Sequence, residues 1–104
     1  MSAAPAEPEL EQVITAIVLI NAEKGAIGDL GEQLAAVPGV SEVYSVTGDS
    51  DFVAVVRARK HEELADIVTK GIIHLPGVAK THTHVAFKAY SRHDLESIFA
   101  IGDA

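Results

Sequence analysis

Apolar and polar positions along the chain fall into four strand-like runs and three helix-like stretches. Residues 13–20 read VITAIVLI, a β-branched run almost continuous in apolar character, as in a central strand covered on both faces. Residues 52–58, FVAVVRA, read likewise. Residues 40–47 (VSEVYSVT) and 78–89 (VAKTHTHVAFKA) alternate more and carry polar side chains, which suits outer strands. Between them, residues 60–74 set Leu64, Ile67, Val68 and Ile72 at helical spacing, with Glu62 and Glu63 near the positive end of the helix dipole. A helix over 26–37 is weaker: Ile27, Leu30 and Leu34 form a stripe, but Gly25, Gly28 and Gly31 each cost up to ~1 kcal/mol of helix propensity. A third helix is expected from Ser91 as N-cap, with Asp94 reaching back to it and Leu95, Ile98 and Phe99 buried.

An internal repeat orders these elements. Val37-Pro38-Gly39-Val40 recurs as Leu75-Pro76-Gly77-Val78, each time after an amphipathic segment and before a β-rich run. The same offset aligns the apolar stretch 13–20 with 51–58, so a β-α-β unit is used twice. The expected fold is therefore α+β: a ferredoxin-like βαββαβ sandwich with a C-terminal helix, of the dimeric α/β-barrel type. Right-handed crossovers give the strand order 4-1-3-2 with both helices on one face. The other face is left uncovered. An apolar open face is normally buried against something, so at least a homodimer with sheets packed face to face is expected.

Composition narrows the function. The 104 residues suit one domain of the common ~100–150-residue size. Pro5, Pro8, Glu7, Glu9 and Glu11 mark 1–11 as a flexible tail before a domain spanning 12–104. A formal charge of −7 repels a phosphate backbone, so nucleic acid is not an expected direct partner. Without cysteine there is no disulfide, thiolate nucleophile or cysteine zinc site, consistent with a reducing cytoplasm. No apolar run approaches the ~20 residues that span a bilayer as a helix, and the N-terminus lacks the pattern of a secretory signal. The expectation is a cytoplasmic protein with no membrane partner and no cofactor.

Candidate chemistry gathers in the second hairpin, Thr47-Gly48-Asp49-Ser50-Asp51-Phe52. Gly and Asp suit a tight turn, and two carboxylates around one turn are also a place to hold an ammonium group. Physics alone leaves both readings open. The glycines 25, 28 and 31 lack the spacing of a phosphate-binding loop. His61, His74 and His93 have no nucleophile or acid partner at a telling spacing, so no catalytic residue is assigned.

Pro-Gly-Val, a short strand, then Thr-Gly-Asp-x-Asp-Phe leading into an apolar strand resembles the effector-binding domain of the Lrp/AsnC family of amino-acid-responsive regulators. The last strand, with Thr81 and Thr83 in a Thr-x-Thr arrangement and Lys88 beyond, is similar too. The likeness covers about 13–100, and family members place a helix-turn-helix domain ahead of this one. The resemblance implies a stand-alone sensor, forming dimers and rings, commonly octamers, with an amino-acid effector held between dimers. It implies ligand-binding roles for Gly48, Asp49, Asp51, Thr81 and Thr83, and regulation exerted through a full-length Lrp/AsnC partner. Ser50 stands where an aromatic residue is frequent, and His82 and His84 flank the second threonine, which leaves the ligand's identity open. His82 and His84 share a face and are candidates for further ligand contacts. A His-x-His pair can also chelate a metal, but no third ligand is evident, so no metal site is assigned. The alternatives from other classes are a small dimeric α/β-barrel enzyme, monooxygenase-like or haem-handling, and an ACT-like regulatory domain. Fold alone separates none of these.

Overall fold

The computed structural model describes residues 13–90; the tail at 1–11 and the helix expected from Ser91 lie outside the described residues. Four strands, β1 (Ile14–Ala22), β2 (Val40–Ser45), β3 (Phe52–Ala58) and β4 (Val78–Val85), form one antiparallel sheet in the order β2-β3-β1-β4. This is the order 4-1-3-2 expected from right-handed crossovers. Helix α1 (Ile27–Ala35) joins β1 to β2, and α2 (His61–Asp66, continuing as a π-helix over Ile67–Ile72) joins β3 to β4.

The core lies between the helices and one face of the sheet. Ala16, Val18 and Ile20 of β1 and Phe52, Ala54, Val56 and Ala58 of β3 are buried there against Leu30 and Leu34 of α1 and Leu64, Val68 and Ile72 of α2. Burial of a full Leu, Ile or Val side chain is worth ~1.5–3 kcal/mol, so this layer holds the fold. The alternate residues Ile17, Leu19, Val53 and Val55 point to the other face and are only half-buried. Near-continuous apolar runs here mean two apolar faces, one of which the described residues leave open.

The repeated Pro-Gly-Val is a helix-to-strand corner used twice. Gly39 and Gly77 both adopt positive φ, at 96° and 99°, a region costly for residues with a Cβ. A Cβ on Gly39 would overlap the Ile67 side chain, and one on Gly77 would come within 2.8 Å of the Ala26 Cβ. Each glycine therefore serves the backbone turn and the close approach of a helix at once.

Three expectations need correction. The stripe on α1 is shorter than read, because Ile27 is half exposed while Leu30 and Leu34 are buried. The helix expected over 60–74 widens to π geometry in its second half: the Ile73 N–H bonds the Val68 carbonyl at 2.9 Å, and the Thr69 hydroxyl donates to the Ala65 carbonyl at 2.7 Å, supplying that group with a side-chain partner. Strand β4 stops at Val85 instead of reaching residue 89. Its partner β1 begins at Ile14, and the last backbone bond runs from the Ala86 N–H to the Thr15 carbonyl, so no ladder remains beyond it.

Candidate functional site

The turn between β2 and β3 is built to reach back over the sheet. It closes through the Val46 N–H to the Asp51 carbonyl at 3.0 Å. Gly48 takes φ of 113° in open space, so its hydrogen side chain is required by conformation and not by crowding. Asp51 donates its N–H to the Ile20 carbonyl at 2.9 Å, and its carboxylate accepts the Ala22 N–H at 2.7 Å. The Asn21 side-chain amide donates to the Asp49 carbonyl. The turn is thus fastened to the end of β1 by both of its aspartates, one through its side chain and one through its backbone.

The two carboxylates are left in different states. That of Asp51 is half-buried and engaged, a charge-assisted bond that shapes the corner. That of Asp49 is exposed and makes no hydrogen bond among the described residues. Of the two, Asp49 is the one free to meet a ligand's cationic group.

The threonines and histidines of β4 part company. Residues opposite one another in an antiparallel ladder share a face. Thr81 and Thr83 stand opposite Ile20 and Val18, on the helix-covered side, whereas His82 and His84 stand opposite Leu19 and Ile17, on the open side. Thr81 is half-buried and Thr83 exposed. Because Asp51 bonds the end of β1, and β1 is the direct neighbour of β4, the turn comes nearer to Thr81 than a count of three strands from β2 to β4 implies. The gap from β3 to β4 is two spacings, or ~10 Å. One subunit therefore brings turn and threonines to the same end of the sheet without joining them.

Sequence reading missed Asn21, whose only signal was a polar residue ending an apolar run. It also missed the pairing of Tyr44 with Glu42 on β2. The Tyr44 hydroxyl donates to the Glu42 carboxylate at 2.7 Å, and this bond, reinforced by the negative charge, raises the Tyr44 phenol above its usual range. Among the described residues, the two larger of the grooves found lie elsewhere. One of ≈ 480 Å³ runs between α1 and β2 past Ile27, Gly31, Val43 and Phe52; another of ≈ 450 Å³ is lined by Val13, Arg59, His61, Val85 and Phe87. Neither is lined by a residue singled out as ligand-binding. Among the described residues no polar side chain is buried, no cluster of three metal-ligating groups occurs, and no helix is long and apolar enough to cross a membrane.

A four-stranded antiparallel sheet with two helices on one face and a Gly-Asp turn at its end defines a ferredoxin-like α+β domain. The Lrp/AsnC ligand-binding-domain model matches residues 15–95, and the chain belongs to that family. It is 34% identical over 85 residues to the HTH-type transcriptional regulator FL11 of Pyrococcus horikoshii, a match covering 81% of this chain and 56% of the regulator. The chain spans about half the length of the curated relatives it matches. Among solved structures it resembles TTHA0845 from Thermus thermophilus, with 53% identity and a TM-score of 0.71 over 76% of this chain and 99% of that one. The fold is also that of the transcriptional regulator NMB0573 from Neisseria meningitidis, solved as an L-Met complex, at 15% identity and a TM-score of 0.72 over 88% of this chain and 60% of that one. The chain is thus an effector-binding type of domain found in transcriptional regulators.

Proposed function

We propose that this chain senses a small amino acid as an oligomer, and modulates transcription by assembling with a full-length relative that supplies DNA contacts. The observation that carries the reading is the Gly48–Asp51 turn: it is clamped to β1 from beneath, yet it leaves the Asp49 carboxylate unengaged and exposed. A rigid turn with one free carboxylate and nearby N–H groups is suited to the paired charges of an amino-acid head group. Asp51 is already engaged by the Ala22 N–H, so in this reading the free Asp49 of one subunit is joined by Thr81 or Thr83 of another. Ligand binding and assembly then favour each other by linkage. Support for an amino acid as the ligand comes from NMB0573, a protein of the same fold that forms an L-Met complex.

The test is a thermal-shift screen of the full chain against the twenty amino acids, L-methionine included, followed by calorimetry on any that stabilise it. A ligand at a hundred times its dissociation constant adds ~2.7 kcal/mol. Asp49→Ala and Thr83→Val should each weaken binding while leaving the melting temperature of the free protein nearly unchanged, both positions being exposed. Unchanged affinity in both, with a ligand bound elsewhere, rules the site out. Turnover of a substrate or a haem absorbance band on reconstitution would point instead to the barrel enzymes.

A further inference from the structure

The helix layer of this fold stops one strand short. Helix α1 packs on β2 and β3, and α2 on β3 and β1, but among the described residues neither helix packs along β4. On the helix side β4 presents Thr81, Thr83 and Val85, opposite the fully buried Ile20, Val18 and Ala16 of β1. Thr83 and Val85 are exposed all the same. The groove of ≈ 450 Å³ opens where β4 ends, with Val13, Arg59, His61, Val85 and Phe87 around it.

One wall of this space is a flank of α2 that carries no carboxylate or ammonium group. Leu64, Val68 and Ile72 of α2 are buried toward the sheet, and Ile67 and Gly71 abut Gly39 and Val37 on the α1 side. The outward face carries Glu62, Asp66 and Lys70, the last two paired at 3.6 Å. The flank that remains, toward β4, holds His61, Ala65 and Thr69 at four-residue spacing, all exposed. Flank and strand together form a trough that no described element fills.

We propose that the chain's own last segment, residues 91–104, seats in this trough and covers Thr83, so that segment and effector compete for it. Residues 86–90 lead out of β4 at the mouth of the groove, where Ala86 and Phe87 line it, and a connection of that length is common between a strand and a helix. The segment then carries Leu95, Ile98 and Phe99 at helical spacing, an apolar stripe that needs a cover. The tail at 1–11, which also leads to the groove through Val13, has no such stripe. Charge fits as well: the segment sets Asp94, Glu96 and Asp103 against Arg92 alone, and Arg59 stands at the groove. Strands β3 and β4 are both antiparallel to β1, so a helix returning from the end of β4 runs alongside α2. With Leu95 over Val85, Ile98 lies about 5 Å farther along the helix and Thr83 about 7 Å farther along the strand, which brings the stripe onto the threonine. The competition rests on the effector reading given above; the seating does not.

The chain has no cysteine, so the full chain carrying Val85→Cys and Leu95→Cys tests both parts, and neither position belongs to the effector site. Val85 is exposed, so the change there leaves the core intact. Under mild oxidation the pair should close within one chain at least about tenfold faster than Val85→Cys with Ser97→Cys, because a disulfide needs Cα atoms within about 7 Å and Ser97 lies across the helix from the stripe. Equal rates, or a bridge formed between two chains, would overturn the seating. Calorimetry with L-methionine, and with any other amino acid that stabilises the chain, should then find affinity about tenfold weaker in the bridged chain than in the same chain after reduction, a coupling of ordinary size. Affinity that ignores the bridge would overturn the competition and leave the seating. If no amino acid binds either the reduced or the wild-type chain, the effector reading fails and takes the competition with it, while the oxidation rates still decide the seating.

Discussion

The two faces of this sheet are made from the same strands, yet they differ in what finishes them. On one, Ala16, Val18, Ile20, Ala54 and Val56 are closed over by α1 and α2 and show no exposed surface. On the other, Ile17, Leu19, Val53 and Val55 are equally apolar but only half-buried, and their neighbours at the edges are Glu42, Tyr44, His82 and His84. The covered face ends at β4 in the uncharged Thr81 and Thr83, whereas the open face ends in a carboxylate, a phenol and two imidazoles, groups that another molecule can recognise. The difference separates what folds the chain from what the chain does.

Adjacent residues on β1 give the sharpest way to break this comparison. Ile20→Ala removes a fully buried side chain and should cost ~2–5 kcal/mol in chemical denaturation, independently of protein concentration. Leu19→Ala, one residue away on the open face, should cost less, and its loss should grow with concentration, because it acts on the associated state. Equal, concentration-independent losses would mean that the faces do not differ in kind.

The glycines offer a second contrast, smaller in size. Gly39→Ala adds a Cβ at positive φ that overlaps Ile67, and about 1–3 kcal/mol of destabilisation is expected. Gly48→Ala meets only the conformational cost, since its surroundings are open; about 1 kcal/mol is expected there. Thermal denaturation of both variants measures the gap between them.

Smallest is the effect at Tyr44. Its hydroxyl stays protonated to higher pH than an ordinary phenol's because it donates to Glu42, so ultraviolet titration should find its midpoint above ~10. Glu42→Gln should bring that midpoint back down. This hydrogen bond is present at neutral pH and is lost as pH rises through the raised midpoint.

Much of the fold was legible in the sequence because its signals are local and repeated. The Pro-Gly-Val corners, the two apolar runs and the stripe of Leu64, Val68 and Ile72 fix the element order, and crossover handedness then fixes the sheet. Most of what escaped reading depends on partners distant in sequence. The end of β4 is set by where β1 begins, and the π-helical half of α2 involves a hydroxyl and the packing of Gly71 against Val37. At the candidate site, Gly48, Asp49 and Asp51 stood out as a motif, but their division of labour did not. Only the structure places Ala22's N–H under Asp51 and leaves Asp49 free. Thr81 and His82 are adjacent letters, and only register against β1 shows that they serve opposite faces.

The central claim is that the open face is an interface and not merely a surface. Light scattering on the full chain at micromolar concentration tests it most directly. The account predicts a mass of at least twice the 10.9 kDa of one chain, in an even-numbered assembly. A single species at 10.9 kDa under the same conditions would contradict it.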